Sequence, residues 1–236
     1  MRKLFATSLA LALFVALTAN AQNMKIVGRD VDTDQFGATA KSHMVEAIWE
    51  DGIGCPTNSK TFIYNPVTGR GSASTYTDPA CPTRDASGDV NQDGFLLVKS
   101  GPTGNFASAA GEVVNESGKF LTELGYDIRK GSHCGAGAPR FNVTLQDGSS
   151  YFVGCASPPP VVIVGDGWER RRWGSKADGL PVPAYDQKSG VLTTIPNNVK
   201  VKSINIIFDE GTDVGPGQAF LDNVDISGIL IGKQNR

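Results

Sequence analysis

Along most of this chain apolar residues recur at every second position, the spacing of half-buried β-strands. Phe120, Thr122, Leu124, Tyr126 and Ile128 share one face. Phe141, Val143 and Leu145 do the same. Asp147-Gly148 then turns the chain into Tyr151, Val153 and Cys155. An Asp-Gly pair between two alternating runs is a strong hairpin signal, because both residues tolerate the positive φ of a tight turn. Val161 to Val164 is a short β-branched run. Trp168, Arg170 and Arg172 alternate with Glu169, Arg171 and Trp173. Ile204, Ile206 and Phe208 predict another strand, and Phe220, Val224 and Ile226 the last long one. Only residues 43–49 fit a helical stripe, through Val45, Ile48 and Trp49, and they read equally well as a strand. Many short strands with turn signals every 8–12 residues predict an all-β sandwich of the jelly-roll kind. The absence of a strand–helix–strand rhythm argues against a parallel α/β sheet.

The N-terminus adds a different element. Arg2 and Lys3 precede an apolar run from Leu4 to Leu17, followed by Ala19-Asn20-Ala21. That order is a secretory signal peptide, residues 1–21, with cleavage expected before Gln22. The apolar run is short of the roughly 20 residues a membrane helix needs. One β-sandwich domain over residues 22–236 is the expected product, in the periplasm or outside the cell. Without Arg2 and Lys3 the chain carries 20 basic against 24 acidic side chains. This mild balance predicts neither a nucleic-acid footprint nor a polybasic membrane patch. In an oxidising compartment Cys55, Cys81, Cys134 and Cys155 read as two disulfides. A hairpin turning at Asn65-Pro66-Val67-Thr68-Gly69 folds about position 68 and sets Cys55 opposite Cys81, which leaves Cys134 with Cys155.

Four segments are candidates for chemistry. Gly167-Trp168-Glu169-Arg170-Arg171-Arg172-Trp173-Gly174 is rich in stacking and guanidinium groups. The two tryptophans have opposite parity, so one ring is expected in the core and one at the surface. An exposed ring beside arginine is a platform for a sugar, which makes Trp168, Arg170, Arg172 and Trp173 the candidate ligand contacts. The competing reading is a core tryptophan with arginines lying over the sandwich face. A second segment, Asp89-Val90-Asn91-Gln92-Asp93-Gly94, matches the opening of a calcium loop, but Ser100 stands where a closing carboxylate belongs. Third, Asp222 shares the apolar face of the last strand if that strand is regular. A carboxylate there needs a calcium ion, backbone N–H donors, or a bulge that turns it away. Asp209, beside the preceding strand, is the other candidate calcium ligand. Fourth, the Gly/Ala-rich loop from Gly131 to Phe141, with His133 and Arg140, could cradle an anion, but it lacks the ending of a phosphate loop and reads better as a disulfide-pinned loop. No nucleophile or zinc-protease motif is present, so catalytic residues are not assigned.

Taken together, the stretches from Gly94 to Thr103, Leu121 to Arg129 and Gly131 to Val143, with Phe208-Asp209-Glu210-Gly211 and Leu221-Asp222-Asn223-Val224, resemble a group of secreted bacterial β-sandwich proteins. The final Leu221-Asp222-Asn223-Val224-Asp225-Ile226 is similar to the closing strand of galactose-binding-like and carbohydrate-binding jelly-roll modules. The resemblance implies a structural calcium near Asp222 and brings no catalytic residues. The leading expectation is a non-catalytic protein that binds a glycan or another cell-surface ligand. The alternatives are a structural or adhesive surface protein, and a polysaccharide-active hydrolase with two carboxylates facing each other across a cleft.

Overall fold

The computed structural model describes residues 24–31, 45–55, 60–65, 70–77, 93–99, 107–209 and 217–232. The expected signal segment 1–21, Cys81 and residues 89–92 of the candidate calcium loop lie outside them. No helix occurs among the described residues, and none is long and apolar enough to cross a membrane.

The first seven strands are β1 (Lys25–Val31), β2 (Val45–Glu50), β3 (Lys60–Asn65), β4 (Arg70–Thr77), β5 (Gly94–Lys99), β6 (Ser108–Val114) and β7 (Glu123–Arg129). The remainder are β8 (Arg140–Leu145), β9 (Ser150–Val153), β10 (Val161–Val164), β11 (Trp168–Gly174), β12 (Pro183–Asp186), β13 (Leu192–Thr194), β14 (Val201–Phe208), β15 (Gly217–Ile226) and β16 (Ile229–Ile231). One sheet runs β1-β6-β14-β8-β9-β12-β13, and the other β10-β11-β7-β15-β5-β2, with β16 added to β15. Both are antiparallel. The chain crosses repeatedly between them, as the jelly-roll expectation requires. The β3–β4 hairpin forms separately, with Asn65 opposite Arg70, close to the expected centre at 68. Residues 45–50 are a strand, not a helix.

The alternation seen in the sequence sets the core. Phe141, Val143 and Leu145 of β8, Tyr151 and Val153 of β9, and Ile204, Ile206 and Phe208 of β14 point inward from the first sheet. Phe95 and Leu97 of β5, Leu124, Tyr126 and Ile128 of β7, and Leu221 of β15 meet them from the second. Tyr126, Phe141 and Trp173 form an aromatic knot at the centre, with ring centroids 5.5 to 6.1 Å apart. Its polar atoms are satisfied across the core: Tyr126 donates to the Pro139 carbonyl at 3.0 Å and Trp173 Nε1 to that of Pro158 at 2.8 Å. Burial pushes the Tyr126 phenol far above its ordinary range.

Cys134 and Cys155 are bonded, with Cα atoms 5.3 Å apart, as expected. No described cysteine is free, and the Cys55–Cys81 pairing lies outside the described residues. Next to the bridge the 134–139 loop lies against the end of β9. A Cβ on Gly154 would fall 1.9 Å from the Ala136 carbonyl oxygen, so this approach requires glycine.

Candidate functional site

The Trp/Arg strand β11 does not offer a platform. Trp173 is 1% exposed and sits in the aromatic knot; Trp168 is 5% exposed, on the opposite face. Parity separates the rings as expected, yet both are buried, so neither can receive a sugar. Arg170, 3% exposed, is not a ligand contact either. Its side chain lies across β7 toward β15. Nη2 reaches Oδ2 of Asp225 at 2.6 Å, Nη1 donates to the Asn223 carbonyl at 2.8 Å, and Asp127 Oδ1 stands 3.8 Å from Nη1. Gly125 makes the passage possible, because a Cβ there would lie 3.0 Å from Arg170 Nη2 and 2.8 Å from the Arg171 carbonyl. Arg171 pairs with Glu169 and donates to the Cys155 carbonyl, while Arg172 is half-buried on the same face as Arg170.

Asp222 answers the question the sequence left open. It lies opposite Asp127 on the outer face of the second sheet, and Asn223 then takes φ 44°, a left-handed conformation that asparagine tolerates. The resulting bulge between Asp222 and Asp225 reverses the parity of β15. Asp222 therefore does not share a face with Val224 and Ile226. It accepts the N–H of Cys55 at 2.7 Å, from the segment that follows β2, and the N–H of Asn223 at 2.6 Å. Asn223 Nδ2 donates to Asp127 at 3.0 Å. Asp225 brings its Oδ1 to the Gly228 N–H at 2.7 Å. Burial raises the Asp225 pKa to about 6. Arg170 opposes the shift, and neighbouring Glu123 adds to it.

Asp209 is not a partner of Asp222. It follows β14 in the other sheet, and Arg140 holds its carboxylate with both terminal nitrogens, at 2.5 and 2.7 Å. The two carboxylates thus have separate partners, Arg140 for Asp209 and backbone N–H groups for Asp222. Among the described residues no group of three carboxylate, histidine or cysteine side chains is placed to hold a metal ion.

The outer face of the first sheet has a different chemistry. Register aligns Val27, Glu112, Asn205, Asn142, Phe152, Tyr185 and Leu192 in one row across all seven strands. Except for Leu192, whose strand is exposed throughout, each has a buried neighbour in its own strand, so this row is what the core pattern leaves outside. Glu112 is paired with Arg29. The Tyr185 hydroxyl meets Ser157 Oγ at 2.9 Å, which ties β12 to the connector between the sheets. One residue on, Asp186 closes the β12–β13 turn by accepting the N–H groups of Lys188 and Ser189 and the Ser189 hydroxyl, and these bonds hold its carboxyl below the usual range.

Where the row meets the disulfide loop there is a cleft of about 300 Å³ lined by Ala136, Gly137, Arg140, Phe152, Gly154, Ser157 and Tyr185. Two aromatic rings and a guanidinium border it, with backbone of the 134–139 loop as one wall. Arg140 lies over Phe152, its central carbon 5.2 Å from the ring centroid. No carboxylate lines the cleft among the described residues. A larger hollow of about 550 Å³ beside Lys99 and His133 is bordered by residues 99 and 217, where the described chain stops on that side. Lys99 itself is buried and donates to the Asp209 carbonyl at 2.9 Å, bridging the two sheets.

No protein-family model matches the chain, and no curated protein sequence does. Among solved structures, two are similar in fold. One is a family 11 carbohydrate-binding module from Clostridium thermocellum in complex with a β-1,3-1,4-mixed-linked tetrasaccharide, at 13% identity and TM-score 0.35, over 86% of this chain and 97% of that one. The other is the family 11 module of the cellulosomal cellulase Lic26A-Cel5E of the same organism, at 12% identity and TM-score 0.34, over 89% of this chain and 98% of that one.

Arg140 was visible in the sequence as part of a pinned loop able to cradle an anion, and Phe152 and Tyr185 were not singled out. Their signal was the complement of the core pattern. If Tyr151, Val153 and Cys155 face inward, Phe152 is an aromatic on the polar side.

Proposed function

We propose that the chain is a non-catalytic glycan-binding protein whose ligand lies across the outer face of the first sheet. The observation that carries this reading is the in-register row of Tyr185, Phe152, Asn142, Asn205 and Glu112, ending in the cleft beside Arg140. Adjacent strands are about 4.8 Å apart, close to the rise of one pyranose unit in an extended β-linked chain. A sugar chain perpendicular to the strands would meet a new side chain at each step. The apolar C–H face of a pyranose suits Phe152 and Tyr185. Its hydroxyls suit the amides of Asn142 and Asn205, which both donate and accept. Few polar groups converging on an aromatic cleft is the usual make-up of a small-molecule site.

The test is retention on a panel of soluble polysaccharides by affinity electrophoresis, with residues 22–236. Tyr185→Ala and Phe152→Ala are expected to weaken retention several-fold each, in line with roughly 0.5–1.5 kcal/mol for an aromatic contact. Trp168→Phe, on a buried ring of the other sheet, is expected to leave retention unchanged. Retention insensitive to both cleft variants overturns the assignment of the face. The panel run with calcium and again with a chelator tests the metal requirement separately.

A second reading has one observation behind it. Among the described strands β10 lies at a sheet edge, and its Val161, Val162, Ile163 and Val164 are between 41% and 65% exposed. An open, uncharged, β-branched edge is a template for another strand, as an adhesive protein would use. Sedimentation velocity across a concentration series tests it; a monomer at every concentration removes self-pairing.

A further inference from the structure

Arg140 supplies the only formally charged side chain among the described residues lining the cleft. Its donors are nearly all committed. Nε donates to Asn142 Oδ1 at 3.0 Å; Nη1 donates to the Gly137 carbonyl at 3.2 Å and to Asp209 Oδ1 at 2.5 Å; Nη2 donates to Asp209 Oδ2 at 2.7 Å. A guanidinium has five N–H groups, so one Nη2–H remains to meet a ligand. The forked contact with Asp209 fixes the guanidinium plane above Phe152 and cancels its charge. Asp209 is absent from the cleft lining, so it acts on the ligand through Arg140 and through its own charge rather than by contact.

Resting on the glycan reading above, we propose that Asp209 sets the charge selectivity of the cleft. It keeps Arg140 as an electrically neutral donor, so the cleft takes uncharged pyranose units and rejects uronates and sulfated sugars. An anionic sugar at Arg140 would have to share one guanidinium with Asp209. The two like charges would then stand a few ångströms apart in a partly desolvated site, where repulsion is stronger than in water. Without Asp209 the same guanidinium is a bare fork shaped for a carboxylate, beside an aromatic floor.

The experiment compares hydroxyethylcellulose, galactomannan and xyloglucan with carboxymethylcellulose and polygalacturonate, at low and high salt. The proteins are wild type, Asp209→Asn and the double variant Asp209→Asn/Arg140→Gln, each checked by thermal unfolding. The wild type is expected to prefer at least one neutral polymer over both anionic ones, with little salt dependence. Asp209→Asn is expected to gain about tenfold or more in affinity for the anionic polymers, the scale of one charge-assisted contact. High salt and the added Arg140→Gln change are both expected to abolish the gain. A wild type that prefers the anionic polymers overturns the proposal without any variant. Neutral binding by the wild type with no anionic gain in Asp209→Asn overturns the role of Asp209 and leaves the glycan reading standing. Retention of the wild type on none of the five polymers counts against both.

Discussion

Replacing Arg170 by methionine removes the cation that faces Asp225 at 2.6 Å and Asp127 at 3.8 Å, while roughly keeping side-chain length. Arg170, Asp127 and Asp225 are all buried. Truncating one member of a buried ion pair costs about 3–5 kcal/mol, chiefly because the remaining charge stays out of water. The lost hydrogen bond to the Asn223 carbonyl falls within that figure. At about 2–4 °C per kcal/mol for a domain of this size, Arg170→Met lowers the unfolding midpoint by roughly 6–20 °C. Since Asp225 titrates near 6 in the folded protein, the loss is smaller at pH 5, where its carboxyl is largely neutral, than at pH 8. The assay is urea unfolding at both pH values, for wild type, Arg170→Met, Asp225→Asn and the double variant. If the outer-face polar cluster works as described, the double variant is more stable than Arg170→Met alone at pH 8. A loss under about 1 kcal/mol, or one equal at pH 5 and pH 8, refutes the assignment of Arg170 as the counter-charge of this cluster.

Three further outcomes follow from the same geometry. The Asp225 pKa is raised on folding, so its contribution is fully present below pH 4 and is lost as pH rises through about 6; Asp225→Asn flattens the pH dependence of stability between 4 and 6, measured by thermal unfolding in a buffer series. Removing the Cys134–Cys155 bridge, whose ends are 21 positions apart, costs about 3 kcal/mol if the unfolded chain is the main thing it restrains; Cys134→Ser/Cys155→Ser should also weaken glycan retention, because the 134–139 loop walls the cleft, and unchanged retention argues against that wall. Ile163→Lys places a charge on the open edge of β10 and raises the temperature at which light scattering begins, whereas an unchanged onset shows that this edge does not drive association.

How much of this was legible depended on whether a residue's neighbours lie near it in sequence. The Asp147-Gly148 hairpin, the inward set of β8 and the Cys134–Cys155 bridge follow from local turn chemistry and parity. The fate of Asp222 does not. It turns on a single left-handed residue, Asn223, and on a donor 167 positions away at Cys55. Parity correctly separated Trp168 from Trp173. What it could not supply is that both faces of the second sheet are covered at that point. An arginine-rich strand reads as solvent-facing until Asp127 and Asp225 are seen to come from two other strands to meet it.

That covering also bears on where a ligand can bind. A sandwich has two outer faces. Here the middle of one is closed by Arg170, Asp127, Asp222, Asn223 and Asp225, all buried and hydrogen-bonded or ion-paired to one another or to backbone. Opening it to a sugar would strip partners from several buried charges at once, each far costlier than a sugar contact returns. The other outer face carries half-buried rings, amides and hydroxyls. The charges Arg29, Glu112, Arg140 and Asp209 are matched within the protein. Such a face can exchange water for ligand hydroxyls without unpairing a charge. On the proposed glycan reading, the division of labour between the sheets therefore rests on which carboxylates are buried: the aromatic residues left outside by the core pattern, Phe152 and Tyr185, are the ones free to meet a ligand, while Trp168 and Trp173 are buried in the sandwich.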